Sequence, residues 1–123
     1  MPFEKFTNVR SRIDTPKVSI WTRGQIGFNQ GASKEYNLDG YKFVVIYYDR
    51  ETQRIGIELT NDAKCEGAVK IINRKNSGIS FSATAFLKHY KIDYSETRKY
   101  GLYYDEKNKM FVVDLKKPLK KTL

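Results

Sequence analysis

Few side chains here are of types that make or break bonds, and they do not converge. His89 is the only histidine and Cys65 the only cysteine. An acid–base or nucleophilic site needs a second group oriented toward the first. His89 stands between Lys88 and Tyr90, outside any recognisable motif, and reads as a surface imidazole. Cys65 lies in a polar run, residues 61–67, with no neighbouring base to favour a thiolate. Asp49 and Asp105 each follow a Tyr-Tyr pair and suit hairpin turns, where a carboxylate accepts backbone N–H groups. No His/Cys spacing fits a metal. Gly24 and Gly27 alone do not make a phosphate-binding loop. The expectation is a protein with no catalytic residues, no metal and no cofactor.

Positive charge is the abundant chemistry. Lys and Arg total 23 against 14 Asp and Glu, a formal net charge of +9. A basic surface attracts polyanions, and Lys and Arg neutralise phosphates while releasing counterions. The candidate cations are Lys17, Arg23, Lys70, Arg74 and Lys75, with Lys34 and Lys88 at matching places further on. Gln25, Asn73 and Asn76 could hydrogen-bond bases or backbone. Arg10 and Arg12 precede this set, and Lys116, Lys117, Lys120 and Lys121 follow it as a basic tail.

The elements that must carry these residues occur twice. Ile26, Phe28 and Ala32 correspond to Ile79, Phe81 and Ala85 at an offset of 53. Tyr47-Tyr48-Asp49 corresponds to Tyr103-Tyr104-Asp105, and Ile55, Ile57 and Leu59 to Phe111, Val113 and Leu115, at an offset of 56. The three extra residues are expected between Asp93 and Lys99, because connecting loops tolerate insertion. One copy reads as a strand, a polar turn, a short strand with apolar residues two apart, a short helix and a hairpin. Asn29 and Ser82 stand as helix N-caps. The second helix, over residues 83–90, is expected to be the better one, since Gly31 weakens the first. Residues 43–48 are apolar on both alternating faces and so are expected to be buried on both sides. A unit of about 45 residues cannot bury enough surface alone. The fold class expected is therefore mostly β with short helices, the two copies interlocking in one pseudo-two-fold barrel. The domain covers residues 17–115, with copies at 18–59 and 69–115 and a linker at 60–68. A polar lead-in covers 1–16 and the tail 116–123. Core positions are Phe28, Val45, Ile57, Phe81, Val113 and Leu115.

A turn with glycine, alternating apolar residues, a one-to-two-turn helix and a hairpin ending in an alternating strand resembles the AbrB/MazE/SpoVT swapped-hairpin family. Residues 23–29, Arg-Gly-Gln-Ile-Gly-Phe-Asn, stand where that family typically has Gly, a basic residue, alternating apolars and Pro. Gln25 replaces the basic residue, and Asn29 and Ser82 replace the Pro. Two tandem copies resemble the arrangement in MraZ-type proteins. The resemblance implies a barrel whose first strands and turns meet double-stranded DNA, and hence a transcriptional regulator. On this reading Lys17, Arg23, Lys70, Arg74 and Lys75 line one edge. The alternative is a non-catalytic interaction protein, antitoxin-like or phage-encoded, that binds an acidic protein partner. Homo-oligomerisation is compatible with either. No apolar run nears the roughly 20 residues that cross a bilayer, so no membrane partner is expected. The opening residues lack the apolar core of a signal peptide. With a single cysteine as well, the cytoplasm is the expected compartment.

Overall fold

A computed structural model describes Phe3, residues 16–74 and residues 78–119. The chain is mostly β. Strands β1 (Lys17–Ile20) and β2 (Gln25–Phe28) precede helix α1 (Gln30–Tyr36) and a 3-10 turn, Leu38–Gly40. The hairpin β3 (Phe43–Asp49) and β4 (Arg54–Thr60) follows. The second half supplies β5 (Val69–Lys70), β6 (Ile72–Asn73), β7 (Ile79–Ser82), α2 (Thr84–His89), β8 (Arg98–Gly101), β9 (Tyr103–Asp105) and β10 (Met110–Asp114). Among the described residues no helix is long and apolar enough to cross a membrane.

The strands form two antiparallel five-stranded sheets, ordered β6-β7-β2-β1-β8 and β5-β3-β4-β10-β9. Each sheet draws strands from both halves of the sequence. Corresponding positions pair reciprocally: Ile26 opposes Phe81 while Phe28 opposes Ile79. Likewise Ile57 opposes Phe111 and Ile55 opposes Val113. Residues 69–73 give β5 to one sheet and β6 to the other, and residues 98–105 divide the same way between β8 and β9.

Alternation decides which side chains go inside. Val18, Ile20, Ile26, Phe28, Ile79 and Phe81 from the first sheet meet Val44, Ile55, Ile57, Phe111 and Val113 from the second in one core. Phe28 lies edge-on to Phe81 at 6.3 Å between centroids and 5.7 Å from Phe111. Five of the six expected core residues are buried, and Leu115 packs against the core partly exposed. The β3 expectation holds only at Val44 and Val45. Tyr47 further along is 44% exposed, because its hydroxyl reaches out to donate to Glu58 Oε1 at 2.8 Å.

The turns repeat with the strands. Asn37 and Lys91 are left-handed at φ 54° and 55°, as are Gln53 and Lys109 at 55° and 54°. Asp49 Oδ1 accepts the N–H groups of Glu51 and Thr52, and Asp105 Oδ1 those of Lys107 and Asn108. The offset is 54 at Lys91 and 56 at Lys109, so the insertions are split. One residue enters between Ser82 and Thr84 and two enter after Lys91, rather than all three in the later loop. The first insertion changes the cap. Asn29 Oδ1 accepts from Ala32 N at 2.9 Å and caps α1. Ser82 stays in the ladder opposite Gln25, and Ala83 precedes α2 without a side-chain cap. Helix α1 is accordingly the longer and the only one with a side-chain cap, the reverse of the sequence expectation.

Candidate nucleic-acid interface

In the first sheet Val18, Ile26, Phe28, Ile79, Phe81 and Tyr100 turn inward. Strand alternation therefore turns Lys17, Ser19, Gln25, Gly27, Ser80, Ser82 and Lys99 to the outer face. Ser19 lies opposite Lys99 on one side and Gly27 on the other, and Gly27 lies opposite Ser80. The small residues in this row make room for Trp21. A Cβ at Gly27 would strike its indole ring. Arg74 reaches from the β6–β7 turn to stack its guanidinium 4.9 Å from the Trp21 ring centre. Its Nη2 donates to Phe28 O at 3.3 Å. Burial pulls the Arg74 guanidinium below the ordinary arginine value. An arginine nonetheless remains charged in proteins. Arg74 is thus a cation held in place by the other half of the chain.

The remaining sequence-predicted residues are spread around this face. Arg23 is exposed in the β1–β2 turn, where its carbonyl accepts from the Thr84 hydroxyl at 3.4 Å. Lys17 is half-buried, and its N–H donates to Asn29 Oδ1 at 3.0 Å. Lys70 is exposed but pairs with Phe43 in the second sheet. Asn73 is exposed in β6, and Lys34 and Lys88 are exposed on the two helices. Lys75 and Asn76 lie outside the described residues, as do Arg10, Arg12, Lys120 and Lys121.

Among the described residues the expected single edge does not form. The turns bearing Arg23 and Arg74 precede β2 and β7, which run antiparallel, so they sit at opposite ends of that pair. Four residues of strand put them about 14 Å apart. The cations form a field across the sheet instead. Lys99 joins it through the pairing of β8 with β1 and was missed from sequence. Gly101 interrupts the apolar pattern there, and the run before it reads as inserted loop.

Charge is segregated between the sheets. Among the described residues, no strand of the first sheet carries Asp or Glu. The second sheet carries Asp49, Glu58, Asp105 and Asp114. The sequence shows why. Residues 15–34 and 67–92, which supply β1, β2, β5, β6, β7 and both helices up to Lys34 and His89, contain no acidic residue. Arg98, also in the first sheet, is already paired with Asp93 at 3.5 Å and Glu96 at 3.8 Å. The groups of the face that remain for a polyanion are Lys17, Arg23, Arg74 and Lys99, with Gln25 and Ser82 between them.

Neither chemistry-bearing singleton lies in such a field. Cys65 is a free thiol in the loop after β4, and His89 is exposed against Tyr90 at 4.7 Å. No group of three or more His, Cys, Asp or Glu side chains among the described residues could hold a metal. Comparison with known proteins returns no matching family model, curated protein or solved structure.

Proposed function

We propose that this chain is a non-enzymatic, cytoplasmic DNA-binding protein, a transcriptional regulator that meets duplex DNA with the outer face of its first sheet. The observation that carries the reading is the absence, among the described residues, of Asp and Glu from that sheet's strands, in a chain with 14 of them. A face of one sign concentrates a polyanion and steers its approach. Lys17, Arg23, Arg74 and Lys99 contact phosphates. Gln25 and Ser82 are the polar groups placed to reach base edges.

The proposed scaffold is a closed pseudo-two-fold barrel of interlocked copies, of the AbrB-like swapped-hairpin kind. Reciprocal register in β2–β7 and β4–β10 supports the two-fold. The two segments that each feed both sheets support closure. On this reading the axis runs through the β2–β7 pair, at the centre of the basic face.

Anisotropy of a labelled duplex across a salt series tests the function. Four neutralised phosphates give a slope of log K against log salt of about −3.6. Lys17→Ala with Lys99→Ala should weaken binding to every sequence and flatten the slope by about two. No binding at low salt, or an unchanged slope in the double variant, would sink the proposal. It would leave the same face to an acidic protein partner.

A further inference from the structure

Two clefts open where a hairpin meets the chain leaving a helix. One, of about 280 Å³, is framed by Tyr36, Leu38, Leu59 and Tyr104. The other, of about 430 Å³, is framed by Tyr90, Ile92, Leu115 and Tyr48. These are the same four positions in the two copies, so the frames are duplicates. Their rims have diverged. The larger cleft is bordered by Arg50 and Lys91, whose counterparts are Glu106 in the second copy and Asn37 in the first, neither of which lines the smaller cleft. The smaller cleft is lined by one cation, Lys109, and the larger by three, Arg50, Lys91 and Arg98.

The charges of the larger cleft sort into committed and available groups. Asp93, its carboxylate, accepts from Ser95 N at 2.9 Å, Ser95 Oγ at 2.7 Å and Arg98 at 3.5 Å. Arg98 is held further by Glu96. Among the described residues no carboxylate lies within ion-pair distance of Arg50 or Lys91. The Arg50 guanidinium lies 5.1 Å from the centre of the Tyr90 ring, and Tyr90 packs 4.8 Å from Tyr48. Two cations without an ion pair among the described residues, Lys91 and the stacked Arg50, thus stand beside an aromatic wall, in a cleft of a size typical for small ligands.

We propose that this cleft binds a free mononucleotide, its phosphate on Arg50 and Lys91 and its base against the tyrosines. A phosphate suits adjacent Lys and Arg donors, and a flat ring suits an aromatic wall. The site is separate from the basic face, because Arg98 and Tyr100 line it from the side of β8 opposite Lys99.

Isothermal titration of the full chain with the four ribonucleoside monophosphates, with adenosine and with inorganic phosphate tests this. At least one nucleotide should bind saturably with Kd below about 1 mM, and adenosine and phosphate at least about tenfold more weakly. Arg50→Ala with Lys91→Ala should weaken the nucleotide at least about tenfold without changing the melting temperature, since both side chains are exposed. Lys109→Ala at the smaller cleft, and Lys17→Ala with Lys99→Ala on the basic face, should leave it unchanged. No saturable binding by any nucleotide, or equal binding by the Arg50/Lys91 variant, overturns the proposal. So does a 5′-phosphorylated oligonucleotide that displaces the nucleotide and binds more tightly, since the site would then belong to a strand end.

Discussion

At the scale of single residues, packing and backbone conformation set the expectations. Phe28 and Phe81 have no exposed surface and touch each other across the β2–β7 pair. Truncating either to Ala should cost about 3–5 kcal/mol, measured by urea denaturation. A cost under about 1 kcal/mol would mean that the site collapses around the gap. Gln53 and Lys109 hold left-handed conformations that L-residues disfavour, so each should gain about 0.5–1 kcal/mol on replacement by Gly. Asp49 and Asp105 are held below the usual aspartate range by hydrogen bonds from their own turns, from Thr52 and Asn108 respectively. Their folded pKa values are depressed, so the unfolded chain binds more protons in acid. Their contribution is present above the unfolded value near 3.9 and is lost as pH falls through the folded values. Denaturation series from pH 6 to pH 2 should therefore show a shallower acid loss in the Asp49→Asn/Asp105→Asn variant. The two aspartates were legible as turn formers because Asp followed by polar residues favours that geometry in any context. Arg74 was not. Its stacking on Trp21 joins residues far apart in sequence and leaves no local pattern.

The elements show how one inserted residue changes a role. Asn29 caps α1 and also accepts the N–H of Lys17, joining the helix start to β1. Asn29→Ala should cost about 1–2 kcal/mol. Ser82, its apparent counterpart, is an exposed strand residue, so Ser82→Ala should stay within about 0.5 kcal/mol. Thermal melts of the two variants separate the roles, and equal losses would contradict the assigned cap. The helices were visible through their short apolar patterns. Their ranking inverted because a side-chain cap outweighed the propensity cost of Gly31. Strand β3 was legible as a strand, but its burial was not. Tyrosine satisfies an apolar pattern while keeping its hydroxyl in water.

For the whole molecule, strand pairing makes the halves interdependent. β2 pairs with β7, β4 with β10, β1 with β8 and β3 with β5. Cleaving the connection at residues 61–68 should give two fragments that are unfolded alone and regain β structure on mixing. Circular dichroism of each fragment and of the mixture measures this. A folded single half would contradict the shared core. The same pairings assemble the basic face, since Lys17 comes from the first half and Lys99 from the second. Neither half alone should therefore hold DNA with the salt dependence of the intact chain.

What the sequence determined by itself was whatever depends on near neighbours and on copying. Alternation and turn chemistry specified the strands, the hairpins and most of the core. The net charge of +9 was likewise open to reading. What only the tertiary structure decided was where those charges go. Equivalent strands pair antiparallel, which carries Arg23 and Arg74 to opposite ends and turns an expected edge into a face. The pairing of β8 with β1 brings in Lys99, and the division of strands between sheets leaves the acids of the hairpins on the other side. Register between distant strands is set by the total burial of both faces, a property of the assembled core that no local window of sequence contains.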